Sequence, residues 1–260
     1  MNSNLPSYSQ FREDKILDRI FFDKKGTCVE VGANDGITGS TTYFFEKKGW
    51  KCVLIEPVPD LCERIRRFRS ALVFECAASS ESGEGVFYVA ESTKSLSTLS
   101  PTESLQKEIA ANKTTLREIH VRKRTLDEIL EEAGIRGIDF ITIDVEGHEM
   151  DVLIGFSIEK YRPRIIIIED NDDHADDSIG KYLGGKGYRA FFRTGVNDWY
   201  ASDSDIITNI NSIAQLEREK KLYEYEDKIT SKFSFLNNIL PDSIKRILIT
   251  ILHKFIKCVN

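Results

Sequence analysis

Two groups of residues in this chain carry side chains able to do chemistry, and each follows an apolar run. The first is Asp144-Val145-Glu146-Gly147-His148-Glu149, continued by Glu169-Asp170-Asn171. Ionisable groups at that density are costly unless they are hydrated, paired or used. The imidazole could accept a proton near neutral pH, the carboxylates could hold a hard cation, and all of them could hydrogen-bond a hydroxylated ligand. The second group is Glu30-x-Gly32-x-Asn34-x-Gly36, with Glu56 closing the next apolar run. Gly32, Asn34 and Gly36 tolerate unusual dihedrals and let a ligand approach the backbone closely. A carboxylate at Glu56 could accept hydrogen bonds from two ribose hydroxyls. Glu30, inside a buried strand, needs partners, which a polar ligand or loop amides would supply.

The elements that must position these groups read as a doubly wound α/β sheet. Cys28, Val29 and Val31, bounded by Gly26 and Gly32, predict a buried parallel strand. Residues 40–48 predict a helix whose first turn offers free amides, and residues 51–55 predict the strand that delivers Glu56 to the same sheet edge. The continuous apolar runs at 138–143 and 165–168 predict central strands covered on both faces. Open sheets of this kind bind ligands beyond the carboxyl ends of their strands, so both groups face one crevice.

Around that centre, residues 9–22 predict an amphipathic helix covering one edge of the crevice. A second crossover helix is expected at 61–68 with Arg64, Arg66 and Arg67 outward, then a short strand at 71–76 and further β character at 86–89. Residues 92–116 turn polar and Ser/Thr-rich, either as a mobile substrate loop or as a solvated connection. Thr125, with Glu128 three residues on, predicts the cap of a helix over 125–133. Residues 188–192 and 199–200 are expected to form an antiparallel end hairpin.

A chain of 260 residues suits one α/β domain over 1–203 with a helical appendage over 204–260. The formal net charge of −6 argues against a general nucleic-acid binder. Five cysteines without a C-x-x-C pair, two of them on expected core strands, read as reduced residues of a cytoplasmic protein. The first ten residues lack the pattern of a secretory signal, and no apolar run has the length of a membrane span.

Glycine spacing distinguishes the loop from the G-x-G-x-x-G of dinucleotide enzymes. An acid two residues before the first glycine resembles motif I of class I S-adenosylmethionine methyltransferases, with Asn34 in place of the middle glycine. Tyr8-Ser9-Gln10, Glu13-Asp14, Val29 to Gly36, Gly49-Trp50 and Ile55-Glu56-Pro57-Val58-Pro59 resemble, in order, the opening of the FkbM-type methyltransferases. Thr125-Leu126-Asp127-Glu128, Ile143 to Glu149 and Ile168-Glu169 continue the pattern, so the resemblance covers about 8–200.

That resemblance implies a class I, Rossmann-like sheet, mostly parallel with an antiparallel last strand and helices on both faces, and an S-adenosylmethionine-dependent O-methyltransferase. Such enzymes often modify sugars, glycans or polyketides, in many cases in pathways building surface polysaccharide. It places the methionine part of the cofactor at Glu30, Gly32, Ala33, Asn34 and Gly36, the ribose at Glu56 and the adenine near Cys76 and Ala77, with Asp144 beside the donor. For the acids it leaves three uses open. His148 could be the general base, held by Glu146 or Glu149. Asp144, Glu169 and Asn171 could hold a divalent cation such as Mg, which resembles the metal site of catechol-type O-methyltransferases with Asp170 as an additional acid. Or these side chains could grip the cofactor and sugar-like hydroxyls while alignment does the rest. A non-catalytic nucleoside-binding or scaffold protein is the alternative of a different class, with a nicotinamide oxidoreductase further behind.

Residues 241–260 fall outside the resemblance. Ile244, Ile247, Leu248, Ile251, Leu252 and Phe255 recur at spacings of three and four beside Lys245, Arg246, Lys254 and Lys257. This basic amphipathic helix suits either the surface of an anionic membrane, at its inner face, or docking on protein, including a second copy.

Overall fold

The computed structural model describes residues 5–22, 24–90, 97–99, 115–171 and 177–202. The helical appendage expected over 204–260, with its basic helix at 241–260, and most of the polar segment at 92–116 lie outside them.

Seven strands make the main sheet: β1 (Thr27–Val31), β2 (Lys51–Glu56), β3 (Leu72–Glu75), β7 (Phe140–Ile143), β8 (Ile165–Glu169), β9 (Tyr188–Thr194) and β10 (Asn197–Ser202). Their order is β3-β2-β1-β7-β8-β10-β9. Pairing is parallel from β3 through β8, and β10 then runs antiparallel to both β8 and β9. The hairpin expected at the sheet's end is present, with β10 inserted and β9 at the edge. This is the class I, Rossmann-like sheet with a reversed strand, as the resemblance implies.

Strand parity separates two packed faces. One face carries Val31, Ile55, Ile143 and Ile168, packed with Leu126 and Ile129 of α4 (Leu126–Glu132) and Val152 of α5 (Glu149–Ile154). On the opposite face Phe140 meets Phe21 at 6.1 Å and Phe45 at 4.8 Å between ring centroids. These rings place α1 (Glu13–Ile20) and α2 (Thr41–Lys47) there. Burial on both sides accounts for the unbroken apolar runs of β7 and β8. Thr125 caps α4 as its spacing predicts, its hydroxyl accepting the Glu128 amide at 3.2 Å.

A smaller sheet of order β4-β6-β5 stands beside the main one, built from β4 (Ala77–Ala78), β5 (Gly83–Ala90) and β6 (Leu116–Arg124). Val58 and Leu61, the latter on α3 (Pro59–Phe68), join Ala77, Phe87, Val89 and Val121 in its core. The described residues 97–99 lie against β5, where Tyr88 and Thr98 exchange backbone hydrogen bonds of 2.9 and 3.1 Å. Among the described residues no helix is long and apolar enough to cross a membrane.

Candidate active site

The loop after β1 is shaped from within. Gly32 and Ala33 donate to the Ile55 carbonyl at 3.0 and 3.1 Å, turning the chain over the end of β2. Gly32 and Asn34 have φ of +85° and +48°, the left-handed region that glycine and asparagine occupy most cheaply. A Cβ on Gly32 would lie 1.7 Å from the Asp144 carbonyl oxygen, so the loop and the end of β7 touch without a side chain between them. Asp35 then accepts the amides of Ile37 and Thr38 at 2.8 and 2.7 Å, and Ser40 caps α2 by accepting the Tyr43 amide.

Glu30 and Glu56 have different geometry. The Glu30 carboxylate is taken by the Ser40 hydroxyl at 2.7 Å, the Thr41 amide at 2.9 Å and the Thr42 hydroxyl, so loop groups satisfy it. Arg69, whose side chain is fully buried, braces the same hydroxyls at 3.1 Å, donates to the Gly36 carbonyl at 2.6 Å and pairs with Glu46 at 2.7 Å. Glu30 still borders one lobe of the crevice and Glu56 lines the other, where the Asn34 amide at 2.8 Å and the Val58 amide at 2.9 Å orient it. Arg69 is a supporting residue that sequence reasoning missed, since its partners, Gly36, Ser40, Thr42 and Glu46, lie 23 to 33 residues before it.

The crevice has two lobes. The first is lined by Ile55, Glu56, Pro57, Cys76, Ala77 and Phe87, with Val145, Glu146 and His148 opposite. Burial pushes the Cys76 thiol up to about 11, so it lines the lobe as a neutral, apolar group. The second lobe is lined by Tyr8, Ser9, Gln10 and Glu13, by Glu30 and residues 32–34 and 38–41 of the loop, and by Thr142, Ile167 and Asn197, while Gly36 lines neither lobe. Val31, Gly32, Asn34 and Asp144 line both lobes. The helix expected over 9–22 begins only at Glu13, and the crevice edge expected beneath it is lined mainly by Tyr8, Ser9 and Gln10, which precede it.

The acids after β7 and β8 divide into distinct environments. Asp144, Glu146 and Glu169 bring carboxylate oxygens within 4.8 Å of one another. Asp144 keeps solvent contact through the opening, yet protein encloses its other sides, and this enclosure pushes its carboxyl up to about 6. Burial first, and then Asp144 and Glu146, raise Glu169 far above the carboxylate range, so it keeps its proton at neutral pH. Its buried Oε2 lacks a hydrogen-bond partner among the described residues. Glu149 folds back to accept the Val145 and Gly147 amides at 3.2 and 3.1 Å, holding the turn in which Glu146 has φ +55°. Asn171 is exposed in the turn after β8, and the acid that joins Asp144 and Glu169 is Glu146.

His148 sits on the first lobe. Its Nε2 is 3.1 Å from the Ser79 hydroxyl and its Nδ1 is 3.4 Å from Asp151. Burial lowers the imidazole below its ordinary range, with Asp151 opposing, so the ring is neutral at pH 7. Its acidic neighbour is Asp151, three residues along α5, and Glu149 is occupied by the turn. The side chains of 148 and 151 share a helix face, a signal available in the sequence.

Glycines that allow backbone contact, a crevice-facing carboxylate on the second strand and an acid-bearing β7 end define an S-adenosylmethionine-dependent methyltransferase. The chain belongs to the FkbM methyltransferase family: the model of the Methyltransferase FkbM domain matches residues 30–190, more than half of its length. Two solved structures with a similar chain path are TrmK of M. capricolum in complex with S-adenosyl-homocysteine and precorrin-6y C5,15-methyltransferase from Geobacter metallireducens GS-15. The first has TM-score 0.39 and 12% identity over 97% of this chain and 100% of that one. The second has TM-score 0.37 and 11% identity over 72% and 83%. Among curated proteins none matches.

Proposed function

We propose that the enzyme methylates a hydroxyl of a neutral sugar, in a surface polysaccharide or glycolipid. The observation that carries this reading is the cluster of Asp144, Glu146 and Glu169, in which Asp144 lines both lobes and Glu146 the first. Carboxyl groups hydrogen-bond sugar hydroxyls whether charged or protonated, and the ionised Asp144 repels phosphate or nucleic acid, which favours a neutral polyol. S-adenosylmethionine, when bound, supplies the electrophilic methyl group. Glu56 would hold its ribose, Cys76 and Ala77 its adenine, and Gly32, Ala33 and Asn34 would let its methionine part lie on the backbone. Glu30 serves the same end indirectly, by fixing the start of α2.

In this reading Asp144 accepts the acceptor's proton and Glu169, holding a proton of its own, orients it. A base titrating near 6 is ionised at neutral pH and still basic enough to assist an alcohol. Turnover is therefore expected to fall as pH drops through about 6, and Asp144→Asn to lower kcat by about 100-fold or more at nearly unchanged S-adenosylhomocysteine affinity. Methyl transfer from labelled S-adenosylmethionine to a panel of sugars, with calorimetry against S-adenosylhomocysteine and NADH, tests the whole reading. Heat with NADH alone, or binding without transfer to any hydroxyl, would overturn it.

His148 holds the adenosine side in this proposal. His148→Ala is expected to weaken S-adenosylhomocysteine binding about 10-fold with little loss in kcat. Lost turnover at unchanged cofactor affinity would return the proton-acceptor role to the imidazole. A divalent cation is the second reading, favoured by the spacing of the three carboxylates; inactivation by a chelator and recovery with Mg would select it.

A further inference from the structure

We propose that residues 5–13 form a strap that holds the α-amino acid end of the donor, and that Glu13 is the positioning residue clasping this strap to the β9–β10 hairpin. The inference rests on the methyltransferase reading, and it concerns a wall of the second lobe that lies outside the matched region 30–190.

Glu13 is 1% exposed. A carboxylate so buried is retained only where hydrogen bonds replace its water. Its Oε2 accepts the Phe11 amide at 2.8 Å, within the strap. Its Oε1 accepts from the Thr194 hydroxyl and from Asn197 Nδ2, both at 2.9 Å and both on the hairpin. A second contact repeats the connection without charge. The Phe11 ring lies on Gly195, where φ is +54° and an added Cβ would come within 2.3 Å of the ring.

The strap itself is shaped by Asp14, which is fully buried and accepts the Ser7 hydroxyl at 2.6 Å, the Tyr8 amide at 2.7 Å and the Ser9 hydroxyl at 3.0 Å. Ser9 then bridges to Gly39, closing the strap against the loop before α2. The lobe so walled is lined by Ser9, Gln10 and Asn197, with the Ser9 hydroxyl held by Asp14 and Asn197 Nδ2 by Glu13. Thr142 completes it, at 9% exposure and with its hydroxyl unpartnered among the described residues. An α-amino acid carries a carboxylate and an ammonium group side by side, and a pocket offering both donors and acceptors meets that need.

Glu13→Gln keeps the size of the side chain but cannot keep all three bonds, because its amide donates at one end. Calorimetry should show S-adenosylhomocysteine weakened about 10- to 100-fold, with the KM for S-adenosylmethionine rising in parallel and kcat changing little. Methylthioadenosine, which lacks the amino acid end, should bind wild type and variant equally. Phe11→Ala, which removes only the apolar contact, should give the same pattern more weakly, and it stands in if Glu13→Gln does not fold. Equal weakening of both nucleosides in a folded variant, or no weakening of either, would overturn the strap's role. Failure of wild type to bind either nucleoside would instead sink the methyltransferase reading beneath it.

Discussion

Gly32→Ala is expected to abolish S-adenosylhomocysteine binding and to lower the unfolding temperature sharply. Two penalties combine. Position 32 has φ +85°, which costs an L-residue roughly 1–2 kcal/mol. Its new methyl would also lie 1.7 Å from the Asp144 carbonyl oxygen and 2.9 Å from the carbonyl carbon. Both are backbone atoms, so relief requires parting the β1 loop from the end of β7, at a further cost of about 1–3 kcal/mol. Against the ~5–15 kcal/mol that stabilises a domain this is a large fraction, and the movement opens the floor shared by both lobes. Gly39→Ala is the control: its φ is +78°, yet nothing lies within 4 Å of an added Cβ. Thermal melts and calorimetry on the pair should separate strain from collision. Normal cofactor binding by Gly32→Ala would mean that the loop and β7 do not meet as described.

Glu56→Ala should have the next largest effect, weakening S-adenosylhomocysteine by about 100-fold or more. The carboxylate has two duties. Towards the protein it accepts the Asn34 and Val58 amides at 2.8 and 2.9 Å, tying the loop to the start of α3. Towards the crevice, in the function we propose, it would accept hydrogen bonds from a ribose diol. Alanine removes both and leaves two amides without their carboxylate. Glu56→Gln separates the duties, because a carboxamide presents one acceptor and one donor where the loop and the diol ask for acceptors only. Titration of both variants with S-adenosylhomocysteine and with methionine alone would check the assignment. Unchanged nucleoside affinity in Glu56→Gln would remove the ribose from this residue.

What the sequence makes legible follows the range of each interaction. Ile165 to Ile168 read as a central strand because apolar burial on both faces leaves a run with no alternation. Ser40, Thr125 and Glu128 are equally plain, since a cap and its amide lie three residues apart. β6 is different: Leu116-Arg117-Glu118-Ile119-His120-Val121-Arg122-Lys123-Arg124 is mostly charged, and pairing with β5 makes it a strand despite its composition. Glu30 illustrates how far the site itself can be read. Its need for partners was evident, but whether ligand or loop supplies them depends on Ser40, Thr41 and Thr42 folding back ten to twelve residues later. The grouping of Asp144 with Glu146 and Glu169 depends on β7 and β8 being neighbours and on the left-handed turn at Glu146. Glu13 is the least legible, because its partners stand 181 and 184 residues away.

That separation also bears on when the enzyme can become competent. Contacts between distant parts of a chain are slow to form, because a long loop must be closed before they repay its entropy. In a chain synthesised from its N-terminus, the strap leaves the ribosome well before Thr194 and Asn197, which emerge only after β1 to β8 have been made. The wall of the second lobe therefore waits for the hairpin. A nascent or truncated chain lacking β9 and β10 would carry the nucleoside loop and Glu56, with the strap still joined to the rest through the Ser9–Gly39 bridge but without the hairpin partners of Glu13.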